Sequence, residues 1–274
     1  RPAAAFDAVV HPYENGFRWD TDNNIGIVFQ GHLGTDYPLR LVWPDFGQVY
    51  NTNQTWVYDH ASSSFQVTHP FDRPQKTCGA KIYYDEGLRR LVTYGGGFHA
   101  TDNGYYEIGV RGDTLVKEEL QSVVGIRHSR LPWIFDGKTK QWYEMRSLPE
   151  GPPAVNNWWG YEPNFTYVKE YGVGMLVPAN SGRIYVYSAH SNAWASLTTA
   201  NPSLAPTASF MPVTYDLYHR KVVAQSGVTT FLFDFGTRTW ERLTPSVGPT
   251  TTYSGGSGQW YEGYAAMTYD INSD

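Results

Sequence analysis

Four pairs of large aromatic residues, each pair separated by seven positions, constrain this chain more than anything else in it. Tyr58 is followed by Phe65, Phe135 by Trp142, Tyr187 by Trp194, and Phe233 by Trp240. In three of the four the first aromatic precedes Asp (Asp59, Asp136, Asp234), and Ser188 takes that place in the third. The runs before the Asp, such as Trp56-Val57-Tyr58 and Phe231-Leu232-Phe233, are aromatic and β-branched, as suits a pleated, half-buried strand. The residues after it are turn formers, and an Asp there can accept backbone N–H groups two residues on. Each copy therefore reads as strand, tight polar turn, strand, and its recurrence marks a repeat architecture.

A second hairpin precedes each of these. Trp19-Asp20 leads to Gly31, Tyr84-Asp85 to Gly96 and Tyr215-Asp216 to Gly227, with eleven positions from Asp to Gly each time. Val168-Lys169 to Asn180 keeps the spacing without the consensus residues. Strands are expected at Ile25–Phe29, Leu91–Tyr94 and Lys221–Ala224. Two hairpins make a four-stranded antiparallel sheet, which is marginal alone. Radial stacking of copies buries its faces and protects its edges. Each copy spans about fifty residues with its insertions, and no long segment has an apolar period of 3.6, so helices should be few. The expectation is an all-β propeller of four-stranded antiparallel blades.

The residues Arg73-Pro74, Tyr84-Asp85, Leu91-Val92-Thr93-Tyr94-Gly95-Gly96, Trp133-Ile134-Phe135-Asp136 and Trp142 together resemble one full kelch repeat. The resemblance extends over most of residues 17 to 270 and implies a kelch-type propeller. Such propellers carry oxidases, lyases, sugar binders and interaction scaffolds, so the fold alone does not assign an activity.

One propeller accounts for all 274 residues as a single domain, with blades near 17–70, 78–148, 164–200 and 209–246. Five inner-strand starts are visible, and the last, Tyr269-Asp270, stops in its first turn. At the other end, residues 6–12 resemble the outer-strand copy 65–70. Two accounts stay open: a partial blade made of 260–274 with 1–12, or a section of a larger propeller. The second is favoured because a half blade leaves unpaired strand edges. The start Arg1-Pro2-Ala3 does not look like a translation start, so processing or a longer parent chain is expected.

The net charge of -5, with no basic stripe, argues against nucleic acid as a partner. No stretch approaches the roughly 20 apolar residues of a membrane helix. The lone cysteine, Cys78, excludes an intrachain disulfide and is read as a buried, inert thiol. Asn53-Gln54-Thr55 and Asn164-Phe165-Thr166 are acceptor triplets for glycosylation in a secreted eukaryotic protein. No His pair has a convincing metal spacing, and no zinc cluster, phosphate-binding loop or G-x-S-x-G elbow occurs. Neither a metal nor another cofactor is expected, which also disfavours the copper oxidases of the kelch class.

The strand pattern sorts the loops onto two faces. Turns inside hairpins are short and share one face. Connections between hairpins and between blades share the other, and the longest, 31–54 and 97–131, belong to the first two blades. A site is expected there, off-centre over blades one and two, because long loops on a rigid scaffold carry function. His32, Arg40, Trp43, Arg73, Arg130, Trp158, Trp159 and Trp260 are candidate substrate-binding residues: aromatic faces stack on sugar C–H faces while Arg takes carboxylates. The glycines of Gly95-Gly96-Gly97 are expected to let the inner strand end near the axis and to bring His99 to the channel. Kelch-like polysaccharide lyases use His or Tyr as base and acid, with Arg neutralising the substrate carboxylate. The resemblance therefore implies a catalytic set of His99, Tyr105 or Tyr106, Arg127 and His128.

The expected function is an extracellular or periplasmic propeller that binds, and can cleave by β-elimination, an acidic polysaccharide. The rival is a non-catalytic interaction or structural module whose open blade edges recruit other subunits by strand addition.

Overall fold

The computed structural model describes residues 16–33, 50–68, 74, 81–95, 97–98, 105–111, 114–120, 127–128, 131–147, 152, 164–178, 182–207, 211–226 and 228–244. Backbone placement alone is described at 16–17, 30–33, 50–54, 67, 97–98, 105–111, 114–120 and 127–128. Blade one is built from β1 (Gly16–Asp20), β2 (Ile25–Leu33), β3 (Tyr50–Asp59) and β4 (Ser64–Thr68). Blade two opens with β5 (Lys81–Asp85) and β6 (Arg90–Tyr94). It is interrupted by β7 (Gly97–Phe98), β8 (Tyr105–Arg111), β9 (Thr114–Leu120) and β10 (Arg127–His128), and closes with β11 (Trp133–Asp136) and β12 (Gln141–Glu144). Blade three holds β13 (Phe165–Val168), β14 (Val173–Leu176), β15 (Arg183–Ser188) and β16 (Ala193–Thr198). Blade four holds β17 (Val213–Asp216), β18 (Lys221–Ser226), β19 (Thr229–Asp234) and β20 (Thr239–Leu243). Two short 3₁₀ turns, Lys169–Tyr171 and Pro202–Leu204, are the only helical elements among the described residues.

Each blade is a four-stranded antiparallel sheet joined in chain order. The first strands β1, β5, β13 and β17 lie next to one another in succession, which makes them the inner strands of a propeller. The aromatic repeat is the register of the outer hairpin. Tyr58 lies directly opposite Phe65, Phe135 opposite Trp142, Tyr187 opposite Trp194, and Phe233 opposite Trp240. Their ring centroids are 4.9, 4.9, 5.0 and 4.9 Å apart, a contact distance favoured by aromatic pairs.

The seven-residue spacing follows from one turn used eight times. Four residues connect the paired strand ends in both hairpins of every blade, and the fourth adopts a left-handed conformation. These residues are Asn24, Ser63, Arg89, Lys140, Gly172, Asn192, Arg220 and Arg238, with φ between 49° and 61°. A side chain in that region costs about 1–2 kcal/mol. In seven turns the residue before the turn offsets this by accepting turn N–H groups. Asp136 Oδ1, for instance, accepts from Lys138 N at 2.8 Å and Thr139 N at 3.2 Å. Asp20, Asp59, Asp85, Asp216, Asp234 and Ser188 act alike. The eighth turn follows Val168, which cannot accept, and there glycine occupies the left-handed position.

Three apolar interfaces join the blades. Ile25, Ile27, Phe29 and Val57 of blade one meet Ile82, Leu91, Phe135 and Trp142 of blade two. Val92, Tyr94 and Ile134 meet Phe165, Leu176, Tyr187 and Trp194 of blade three. Met175, Val177 and Ile184 meet Tyr215, Val222, Ala224, Phe231, Phe233 and Trp240 of blade four. Burial of each large side chain is worth about 1.5–3 kcal/mol, so these interfaces hold sheets that would not stand alone.

The structure overturns one expectation and speaks against one option left open by the sequence. The glycine run Gly95–Gly97 follows β6, which is second from the axis, so it does not extend the inner strand β5. Asn164 is 4% exposed and its Nδ2 donates to Val177 O at 3.1 Å, so a glycan on that nitrogen has no room in the folded chain. Cys78 and Asn53, and the terminal segments expected to form a partial blade, lie outside the residues whose side chains are described.

Candidate functional site

Contacts between neighbouring blades fix the two ends of the propeller. At the end carrying the short turns, the Tyr84 hydroxyl of blade two donates to Asp22 of blade one. Arg89 Nη2 reaches the other oxygen of Asp22 at 2.6 Å. Blade four repeats this on blade three: Tyr215 donates to Glu170 at 3.0 Å, and Arg220 pairs with Glu170 at 3.0 Å. Between blades two and three, Lys169 pairs with Glu86 at 2.9 Å, and Tyr167 donates to Asp85 at 3.4 Å.

These contacts shift the groups involved. The bonds from Arg89 and then Tyr84 hold the Asp22 carboxyl down at about 2. Burial, and then the bond to Asp22, pushes the Tyr84 hydroxyl up to about 12. Burial raises Asp85 above its ordinary value, against the N–H groups of Leu88 and Gly87. It also raises Tyr215, with the Glu170 bond adding to it. Asp22, Asp85, Glu86 and Glu170 are all engaged between or within blades, so this end is a row of staples with its carboxylates already bonded.

The opposite end carries the long excursions. In blade one, β2 and β3 continue beyond the sheet after an irregularity between Phe29 and Gly31. They pair Gly31 with Thr52, His32 with Asn51 and Leu33 with Tyr50. In blade two, Gly95 at φ 80° ends β6. Beyond it β7 and β10 form a second ribbon, with Phe98 opposite Arg127 and Gly97 opposite His128. Further out, β8 and β9 form a hairpin pairing Tyr105 with Leu120 and Tyr106 with Glu119. The described strands of both insertions thus leave the same end, with β8 of blade two beside β3 of blade one.

The predicted residues divide accordingly. Arg127 and His128 sit in register with Gly97 and Phe98, one residue before His99. His99 itself lies outside the described residues, as do Arg40, Trp43, Arg73, Arg130, Trp158, Trp159 and Trp260. His32 is on the blade-one ribbon, and Tyr105 and Tyr106 are on the blade-two hairpin. Tyr105 and Tyr106 are consecutive positions of β8 on that hairpin. The repeat pattern alone does not single out Asp22 and Glu170. Each lies three residues after its inner-strand aromatic, and Arg89 and Arg220 lie five after theirs, a pairing of offsets the sequence does contain.

Among the described residues no group of three or more His, Cys, Asp or Glu side chains could hold a metal ion. No helix there is long and apolar enough to cross a membrane.

A solved structure titled "Structure of YjhT" aligns with 86% of this chain and 71% of its own, with a TM-score of 0.53 and 11% sequence identity. That likeness is one of fold and matches the β-propeller architecture. No protein-family model matches the chain. No curated protein matches it.

Proposed function

We propose that the chain is an extracellular or periplasmic kelch-type propeller that binds an acidic polysaccharide at its ribbon end and can cleave it by β-elimination. One observation carries this reading: the register of β7 with β10, which sets Arg127 and His128 beside the strand leading into His99. A uronate β-elimination needs a base for the proton next to the carboxylate and a cation for the enolate-like charge that develops. His99 is assigned as base, one of Tyr105 and Tyr106 as the acid that protonates the leaving oxygen, and Arg127 with His128 as the charge-stabilising pair. His32, Arg40, Trp43, Arg73, Arg130, Trp158, Trp159 and Trp260 are assigned to holding the sugar chain. The mechanism requires no cofactor.

The test is incubation with a panel of uronate-containing glycans while the ultraviolet absorbance of the unsaturated product is followed. Turnover that survives both His99→Ala and Tyr106→Phe would remove the site assignment. A second reading, a non-catalytic interaction module, is supported by the exposure of Phe65 in blade one, where its counterparts Trp142, Trp194 and Trp240 are buried. Silence across the panel together with a defined oligomer in solution would select it.

A further inference from the structure

Where the inner turn of one blade meets the outer turn of the next, the repeat brings two positions together: the third residue of the inner turn and the first of the outer turn. Between blades one and two these are Asn23 and Gly137, and a Cβ added at Gly137 would stand 2.8 Å from the Asn23 amide nitrogen. Between blades two and three they are Leu88 and Ala189, which share one apolar cluster. A small outer-turn residue closes both junctions. Between blades three and four the pair is Tyr171 and Phe235, whose rings stack at 4.3 Å with 29° between their planes. The inner turn concerned, Lys169–Tyr171, is also the one that starts without an accepting side chain.

Phe235 stands edge-on to Phe233 at 6.0 Å, and Phe233 is fully buried. The three rings thus run from the core of blade four outward to Tyr171, which is 47% exposed. Phe235 backs one side of the Tyr171 ring, so the exposed area lies on the rest of it. Closing the junction does not demand this arrangement, because glycine and alanine do so in the other two. The charges around the ring cancel: Glu170 pairs with Arg220 at 3.0 Å, Lys169 with Glu86 at 2.9 Å, and His219 lies 2.8 Å from Asp216. Arg220 meets Glu170 through Nη1 while its side chain is 72% exposed.

We propose that Tyr171, backed by Phe235, is a stacking platform for a neutral pyranose of an oligosaccharide, at the end of the propeller opposite the ribbons. A pyranose with equatorial hydroxyls has an apolar C–H face that suits an exposed aromatic ring, and rim hydroxyls that accept from a guanidinium such as Arg220. Since the neighbouring charges pair off, a uronate gains nothing here over an uncharged sugar. The ring is already held by Phe235, so binding adds little ordering cost.

Calorimetric titration with cellohexaose, mannohexaose, xylohexaose and N-acetylchitohexaose tests the platform. Saturable binding of at least one to the unaltered chain is expected. Tyr171→Ala should weaken it by about fivefold or more, and Tyr171→Phe by no more than about twofold. Tyr171→Leu keeps apolar bulk against Phe235 and should lose as much affinity as Tyr171→Ala, which separates stacking from folding. No binding by any of these sugars, or equal affinity in Tyr171→Ala and Tyr171→Leu and in the unaltered chain, overturns the proposal. So does sedimentation of the unaltered chain as a dimer that Tyr171→Ala dissociates, because a second copy would then cover the ring. Uronate binding at the ribbons is measured separately on the unaltered chain, so either reading can fail without the other.

Discussion

The indole Nε1 of Trp142 donates to Thr55 Oγ1 at 2.7 Å, tying the outer strand of blade two to the third strand of blade one. Thr55 is 1% exposed and Trp142 1% exposed, so water cannot replace either partner. The same indole nitrogens in Trp194 and Trp240 are buried without a partner. The reason is legible in the repeat. Three positions before the strand aromatic, where blade one has Thr55, blade two has Pro132 and blade three has Ile184. Thr55→Val should therefore destabilise the protein by about 1–3 kcal/mol, because it leaves a buried donor unsatisfied while preserving volume. Urea unfolding measures this, and a shift below about 0.5 kcal/mol would show that the bond contributes little.

The turn geometry predicts opposite signs at two equivalent positions. Gly172→Ala places a Cβ at φ 61° in the turn with no accepting side chain, although the space around it is open. A loss of about 1 kcal/mol is expected from backbone strain alone. Lys140→Gly relieves the same strain at φ 56° while Asp136 still accepts the turn N–H groups. It should be neutral or stabilising by up to about 1 kcal/mol. Thermal or urea unfolding of the two variants reads both signs.

The Asp22 staple gives a pH signature. Its carboxyl is held at about 2 in the folded chain against an ordinary 3.8. A depressed acid contributes stability that is complete above its unfolded value and is lost as pH falls through the folded one. The stability difference between the unaltered chain and Asp22→Asn should thus be constant above about pH 5 and shrink between roughly pH 4 and pH 2. A difference that does not change with pH would mean that Arg89 and Tyr84 do not favour the charged form.

His99→Ala should lower kcat/KM on a uronate polymer by about 10²–10⁴-fold, the range for removal of a general base. On the proposed mechanism, Arg127→Gln should lower it with a larger effect on kcat than on KM, because the charge assigned to Arg127 develops in the transition state. Steady-state kinetics with both variants separates these roles. An Arg127→Gln effect confined to KM would make that residue a ground-state binder.

How much of this was legible beforehand differs by level. The pairs Tyr58/Phe65 and Phe135/Trp142 fixed the hairpin register because a four-residue turn admits one pairing of the flanking strands. The blade count of four complete sheets followed from the same spacing. Inter-blade polar contacts were harder to see. Tyr84 read as a consensus residue of its own turn, and its partner Asp22 lies in a different blade, a distance no local pattern spans. A glycine run marks where a strand ends without saying how far that strand lies from the axis, so Gly95 ends β6 and not the inner strand. At the ribbon end, the strands β7 to β10 lie within a segment whose polar, mixed composition lacks the alternation of a blade strand and so has the pattern of a long connection.

The most direct test of the account compares equilibrium binding of a uronate oligosaccharide to the full chain and to a variant. In the variant, the β8–β9 hairpin is replaced by a short turn like the one between β18 and β19. Calorimetric titration should show binding by the full chain and its loss in the variant, with the urea unfolding of the four blades little changed. Equal affinity in both proteins would contradict the account, because the ligand would then sit away from the ribbons of blades one and two.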